Sequence, residues 1–260
     1  MAPLIEVSEA GLVRTLVLNR PQQLNALNSA VLEQLIEQID SVAHASSVGC
    51  VVIKGAGDRA FSAGADLDEI RGLNAEQAHQ FIRRGHRAMA CIEQSPVPVV
   101  AQVDGFALGG GFELMLACHL VIASERSQFG LPESRIGCIP GFGGTQRLSA
   151  AVGKAAAFHL MLTGERVDAA RAWQIGLLSV PPVPHTDLDA EVERTSALIA
   201  SGSRAGTATL LEAARAGFAA PALEQEAALA ALAIASTDGQ EGITAFAERR
   251  DPVFNKEDPR

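Results

Sequence analysis

The sequence predicts an α/β protein whose C-terminal part is helical alone. Three observations carry this expectation. Short, β-rich apolar runs alternate with helix-periodic segments up to about residue 180. A proline-rich stretch, LLSVPPVPHTDL (177–188), ends the alternation. Everything beyond it is Ala-rich with helical propensity, including APALEQEAALAALAIA (220–235). The expected organisation is a core over residues 1–180 followed by a helical region over 181–260. No internal repeat of fixed period is visible.

Each element has a local reason. LIEVSEAGLVRTLVLNR reads as two strands flanking Glu9-Ala10-Gly11, a hairpin signal. Pro21 ends the second strand, and RPQQLNALN follows as a loop. Ser29 is the expected cap of a helix running to about His44, with Val31, Leu32, Leu35, Ile36 and Ile39 on one stripe. CVVIKGAG (50–57) is a buried strand closed by glycines. FSAGADLDEI (61–70) starts as a strand and turns at Gly64, and a helix spans about 75–93. PVPVVAQVDG (96–105) is another apolar strand, and FALGGGFELMLACHL (106–120) is read as a helix. HLVIAS (119–124) and SQFGLPE (127–133) are short strands. GFGGTQRLSAAVG (141–153) is a Gly-rich loop feeding a helix, with further helices over 154–162 and 168–176.

Composition narrows the function. The chain of 260 residues is 48% hydrophobic and 20% charged, an ordinary globular balance. Its formal net charge is −9 with no long Lys/Arg run, which argues against nucleic acid as a partner. Aromatic residues make up only 4%, so platforms for stacking bases or sugars are scarce. The four cysteines match no zinc spacing and no C-x-x-C pattern; Cys50, Cys91 and Cys118, in or beside apolar runs, read as small buried hydrophobes, and a reducing compartment fits. No signal peptide and no membrane-length apolar run is apparent, so a cytoplasmic protein is expected.

Glu113 interrupts an otherwise greasy run. A helix apolar on all sides is a buried one, and a lone buried carboxylate is costly unless paired, hydrogen-bonded or protonated. Its neighbours on the helix surface are Gly109, Gly110, Leu116 and Ala117, so its own helix supplies no partner. Two readings stay open: a first-turn acid favoured by the helix dipole, or a functional acid. Glu133, after Pro132, has the same ambiguity. The glycines before Glu113 serve either close packing or the exposure of N–H groups toward negative charge. They fail the dinucleotide fingerprint, because its last glycine position holds Leu114. Gly153-Lys154 is followed by Ala155, which fails the phosphate-loop pattern. An oxyanion hole is the better chemical reading, with the turn SAGAD (62–66) offering Ala65 N–H as a second donor. Two carboxylates, two N–H-presenting turns and no metal cluster together describe acid–base work on a carbonyl compound. His119 reads as a structural histidine. His79 and His86, with Arg83, Arg84 and Arg87, read as a solvated helix face.

In combination, RPQQLNALN, FSAGADL, VDGFALGGGFEL, FGLPESRIGCIPGFGGTQRL and LTGERVDAARAWQIGLL resemble the enoyl-CoA hydratase/isomerase (crotonase) superfamily over about residues 4–180. GITAFAERRDPVF resembles the family's C-terminal stretch. The resemblance implies a crotonase-like ββα superhelix with a helical C-terminal region that packs trimers, often stacked as hexamers. It implies an acyl-CoA thioester as substrate and no separate cofactor. It further implies that Ala65 and Gly110 form the oxyanion hole and that Glu113 and Glu133 are the two acids of the hydratase branch. Gln22, Asn25, Ala26, Ala63, Asp66, Leu67, Gly109 and Gly141 are the expected substrate contacts, with Gly141, Gly143 and Gly144 shaping the loop near Glu133. Arg249 and Arg250 are candidate phosphate contacts, although surface charge is the simpler reading. Asp68 departs from the family pattern, in which many members carry Lys at that place. An isomerase using one acid, and a non-catalytic scaffold, are the rival readings.

Overall fold

The computed structural model describes residues 3–45, 47–202, 204–214, 227–228, 230–232 and 234–252. It opens with the expected hairpin, β1 (Ile5–Ala10) against β2 (Val13–Leu18), paired from Ile5 with Leu18 to Ala10 with Val13. Gly11 makes the turn at φ +58°.

The chain then winds between two sheets. Strands β3 (Cys50–Gly55), β5 (Val99–Val103) and β7 (Leu120–Ala123) extend the hairpin into a five-stranded sheet of order β1-β2-β3-β5-β7. The strands between them in sequence, β4 (Ala60–Ser62), β6 (Phe106–Leu108) and β8 (Gln128–Gly130), go to a second sheet of order β4-β6-β8-β9, closed by β9 (Val167–Asp168). Pairs β2–β3, β3–β5, β5–β7, β4–β6 and β6–β8 are parallel. Successive turns of the chain therefore stack one strand further along each sheet. β6 is an addition to the sequence reading, which ran the helix through its residues. Three residues are too few to show a strand period.

Helix α1 (Ser29–Val42) is capped by Asn28, whose side chain accepts from Val31 N–H at 2.9 Å, and not by Ser29. Ser29 instead gives its hydroxyl to Glu69. The helix stops at Val42, two residues before the expected end, and buries the predicted stripe. Leu67–Ile70 forms a single turn, α2, capped by Asp66. Helix α3 (Ala75–Glu93) starts in a capping box between Asn74 and Gln77. Its buried face includes His86, which corrects the expectation that this histidine lies on a solvated face. Arg83 and Arg87 are exposed.

In the five-stranded sheet β3, β5 and β7 are buried on both faces, whereas β1 is exposed beyond Ile5. One face (Leu16, Leu18, Val51, Ile53, Val99, Ala101, Val103) packs into the main core with α1 and α3. On the other, Cys50, Val52, Val100 and Ile122 meet Leu188 and Val192 of α7 (Leu188–Ala200). Double-sided burial explains why these strands read as continuous apolar runs. It also shows that the proline-rich turn marks a change of element type while the chain beyond it returns to the core. Helix α8 (Arg204–Ala214) follows, and α9 (Thr237–Ala247) packs on the turn at 132–136, where a Cβ on Gly242 would meet Ile136 O at 1.8 Å. Residues 215–226, and with them the first part of the Ala-biased stretch, lie outside the described residues, as do Leu229, Ala233, Val253 and Phe254.

Candidate active site

Three neighbouring strands of the smaller sheet, β4, β6 and β8, are each followed by a candidate group. Three residues after β4 comes Ala65. Gly64 O accepts from Leu27 N–H at 2.8 Å and Asp66 N–H donates to Leu27 O at 3.0 Å, so the strand edge is used on either side of Ala65. Two residues after β6 comes Gly110, the first residue of α4 (Gly110–Ala117). Among the described residues, neither Ala65 N–H nor Gly110 N–H has a backbone acceptor. The two residues lie close together: Ala65 N is 3.2 Å from where a Cβ on Gly110 would stand.

The glycine triplet has three separate neighbours. Gly109, at φ +51°, leaves room for a carboxylate, since a Cβ there would approach Glu133 Oε1 to 2.9 Å. A Cβ on Gly110 would press on the Phe142 ring at 3.0 Å, and one on Gly111 would meet Ser62 O at 2.2 Å. The helix thus approaches β4 closely enough to share its mouth, and no larger residue permits that.

Glu113 is 1% exposed. Its Oε1 accepts from Phe142 N–H and Gly144 N–H, both at 2.7 Å. Gly144 begins α5 (Gly144–Thr163), so the carboxylate of one helix caps the N-terminus of another. Donors of this kind favour the ionised form. The loop at 141–144, expected near Glu133, lines the cleft with that residue and gives two of its amides to Glu113. The sequence signal was present as GFGG directly before a helix, but sequence does not say which acid a loop will meet. Glu133 sits on a 3-10 turn, Pro132–Ile136, begun by Pro132 and closed by Gly137 in the left-handed region. It is half-buried and reaches toward Gly109.

These groups line one cleft of about 820 Å³. Ala26, Ala63, Ala65, Leu67, Gly109, Gly110 and Gly141 line it together with both glutamates. Phe81, Ile82, Phe142 and Ile234 make an apolar end that sequence reasoning did not assign. Three expected contacts are placed elsewhere. Gln22 is exposed outside the cleft. Asn25, 1% exposed, spends its amide on Ala56 O and Ala60 O and accepts from Arg20 N–H, so it pins the loop. Asp66 is held by Arg20 at 2.7 Å and caps α2 through Asp68 N–H. Asp68 is exposed. Arg250 is paired with Glu241 and Glu248. His119 Nδ1 accepts from Val99 N–H at 3.0 Å, a structural role. Among the described residues, no group of three metal-ligating side chains converges, and no helix is long and apolar enough to cross a membrane.

An α/β chain wound through two sheets, with helices closing over a cleft of paired N–H groups and carboxylates, is a protein of the crotonase fold. The crystal structure of an enoyl-CoA hydratase from Mycobacterium avium subsp. paratuberculosis superposes with a TM-score of 0.88 at 34% identity, covering 98% of this chain and 100% of that one. An enoyl-CoA hydratase structure from Bacillus anthracis gives 0.80 at 36% identity, covering 97% and 99%. The family model described as Enoyl-CoA hydratase/isomerase matches residues 9–257. The crotonyl-CoA hydratase of Syntrophomonas wolfei is 37% identical over 242 residues, 92% of this chain and 93% of that one. The mitochondrial enoyl-CoA hydratase of Pongo abelii is 38% identical over 242 residues, 91% of this chain and 81% of that one. The chain belongs to the enoyl-CoA hydratase/isomerase family.

Proposed function

We propose that the protein is a hydro-lyase that adds water across the C2=C3 bond of a 2-enoyl-CoA thioester to give the 3-hydroxyacyl-CoA. The observation that carries this is the placing of two carboxylates and two uncommitted backbone N–H groups in one apolar cleft. Water attacks C3 only if charge moving onto the thioester oxygen is stabilised. Ala65 N–H and Gly110 N–H supply that stabilisation, worth about 3–4 kcal/mol per donor in comparable sites. Glu113, held by two amides, takes the proton from water as it attacks. Glu133, reaching in past Gly109, delivers a proton to C2. An isomerase needs one acid to move a proton between carbons; the second carboxylate facing the same space favours hydration. The acyl group runs toward the apolar end at Phe81 and Ile82. CoA enters as part of the substrate, and the chemistry calls for no separate cofactor. The working assembly is a homotrimer or a dimer of trimers.

The test is to mix the purified protein with crotonyl-CoA and follow the enone absorbance. Rapid loss with 3-hydroxybutyryl-CoA as product is the expected result. No hydration of crotonyl-CoA or of a panel of longer and branched 2-enoyl thioesters would overturn the reading. Turnover of a 3-enoyl-CoA alone would replace it with isomerisation.

A further inference from the structure

We propose that Arg147 is a positioning residue that holds the Glu113 carboxylate in its working place through the loop at 142–144. The proposal rests on the reading of Glu113 as the group that activates water.

Arg147 lies in the first turn of α5, where a cation is at the unfavourable end of the helix dipole. It is also 3% exposed, so helix stability and solubility do not explain it. Each of its three guanidinium nitrogens donates a hydrogen bond. Nε and Nη2 form a fork on the Glu93 carboxylate, each at 2.6 Å, and Nη1 donates to Phe142 O at 2.7 Å. Phe142 is the residue whose N–H donates to Glu113 from the other side of the same peptide segment. The order across the core is Glu93, Arg147, Phe142, Glu113, joining the end of α3 to the cleft.

The two loop glycines fit this arrangement. A Cβ on Gly143, at φ +105°, would lie 1.7 Å from Arg147 Nη1, and one on Gly144 would lie 2.9 Å from Glu113 Oε1. One glycine makes room for the guanidinium and the next for the carboxylate. Any shift of the loop that loosens Phe142 O from Arg147 also moves the amides that orient Glu113. Lysine has one nitrogen where this site uses three, so Arg147→Lys cannot keep the fork and the carbonyl contact together.

The experiment compares R147K, E113Q and the double variant with the wild type on the 2-enoyl-CoA that it hydrates best. For folded R147K we expect kcat about 10- to 100-fold lower, as for a misplaced catalytic group, with KM within about threefold. A carboxylate with weaker N–H support protonates at higher pH, so the acid limb of the kcat profile moves up. A merely structural loss lowers kcat equally at every pH. The other charged groups lining the cleft (Glu133, Arg135, Glu165, Arg166) are unchanged by R147K. In the E113Q background the same change is expected to cost nothing further. Wild-type kcat and pH profile in folded R147K, beside an inactive E113Q, would overturn this proposal alone. Wild-type turnover in E113Q would overturn the underlying reading of Glu113. If R147K fails to fold, E93M/R147M leaves no unpaired buried charge and is read by the same two criteria.

Discussion

Glu113 and Glu133 differ in how they are held, and that difference is testable. Glu113 is fixed by two amides, while Glu133 is half-buried on a short turn. Glu113→Gln and Glu133→Gln are each expected to lower kcat by about 10²–10⁴-fold, with acyl-CoA binding retained, as stopped-flow turnover and calorimetric binding will show. Wild-type turnover in either variant would refute the paired assignment. The thiols provide a second probe of the same site. All four cysteines are free; Cys50 and Cys138 are buried, and Cys91 and Cys118 are half-buried. Burial, reinforced by the negative charge of Glu133, pushes the Cys138 thiol up to about 12. The thiolate is the reactive form, so Cys138 should be alkylated very slowly in the folded protein at pH 8. Removing the Glu133 charge lowers that barrier. Glu133→Gln should speed Cys138 alkylation by roughly two- to tenfold, measured by peptide mass spectrometry. An unchanged rate would mean that Glu133 does not lie beside the thiol.

At the level of elements, the turn after β5 shows how the two sheets are tied. Asp104 accepts from Ser124 Oγ at 2.7 Å and from Arg126 Nε at 2.8 Å, with His185 Nδ1 at 3.0 Å. Burial raises its carboxyl, but the Arg126 and Ser124 hydrogen bonds and the nearby positive charges outweigh this, and the net shift is downward. A depressed carboxylate stabilises above its unfolded value of about 3.9 and loses that contribution as pH falls through its native value. Asp104→Asn should cost about 1 kcal/mol at pH 7, with the gap to wild type narrowing below about pH 4. Urea midpoints at both pH values will check it; a gap independent of pH would be against it. The sequence showed α3 at its observed bounds, because a 19-residue amphipathic run and an Asn/Gln capping pair are local signals. It showed β3, β5 and β7 as apolar runs for the same reason. It missed β6 and put the cap of α1 one residue late, since a three-residue strand has no period and Asn28 and Ser29 are both good caps. The glutamates and glycines were legible as types. That the GFGG loop serves Glu113, and that Asn25 and Asp66 are spent inside the fold, depended on contacts between residues far apart in the chain.

The molecule as a whole leaves apolar surface that a lone subunit does not cover. Phe158 and Leu162 stand four residues apart on one face of α5, 47% and 73% exposed, and Trp173 of α6 (Ala169–Gln174) is 41% exposed. A subunit interface is the expected place for these side chains if the proposed trimer forms. Light scattering should then give three or six times the subunit mass, and Leu162→Glu should shift the population toward monomer. A monomeric wild type at micromolar concentration would count against the assembly. The alternation of strands between two sheets has a consequence for how such a site can change. Ala65, Gly110 and Glu133 each follow a neighbouring strand of the smaller sheet. The segments that carry them therefore leave the sheet on neighbouring rungs of the backbone ladder, about 4.8 Å per step. Three loops hang from a common ruler. One of them can be lengthened or rewritten to admit a different acyl group while the spacing of the rungs stays as the sheet sets it.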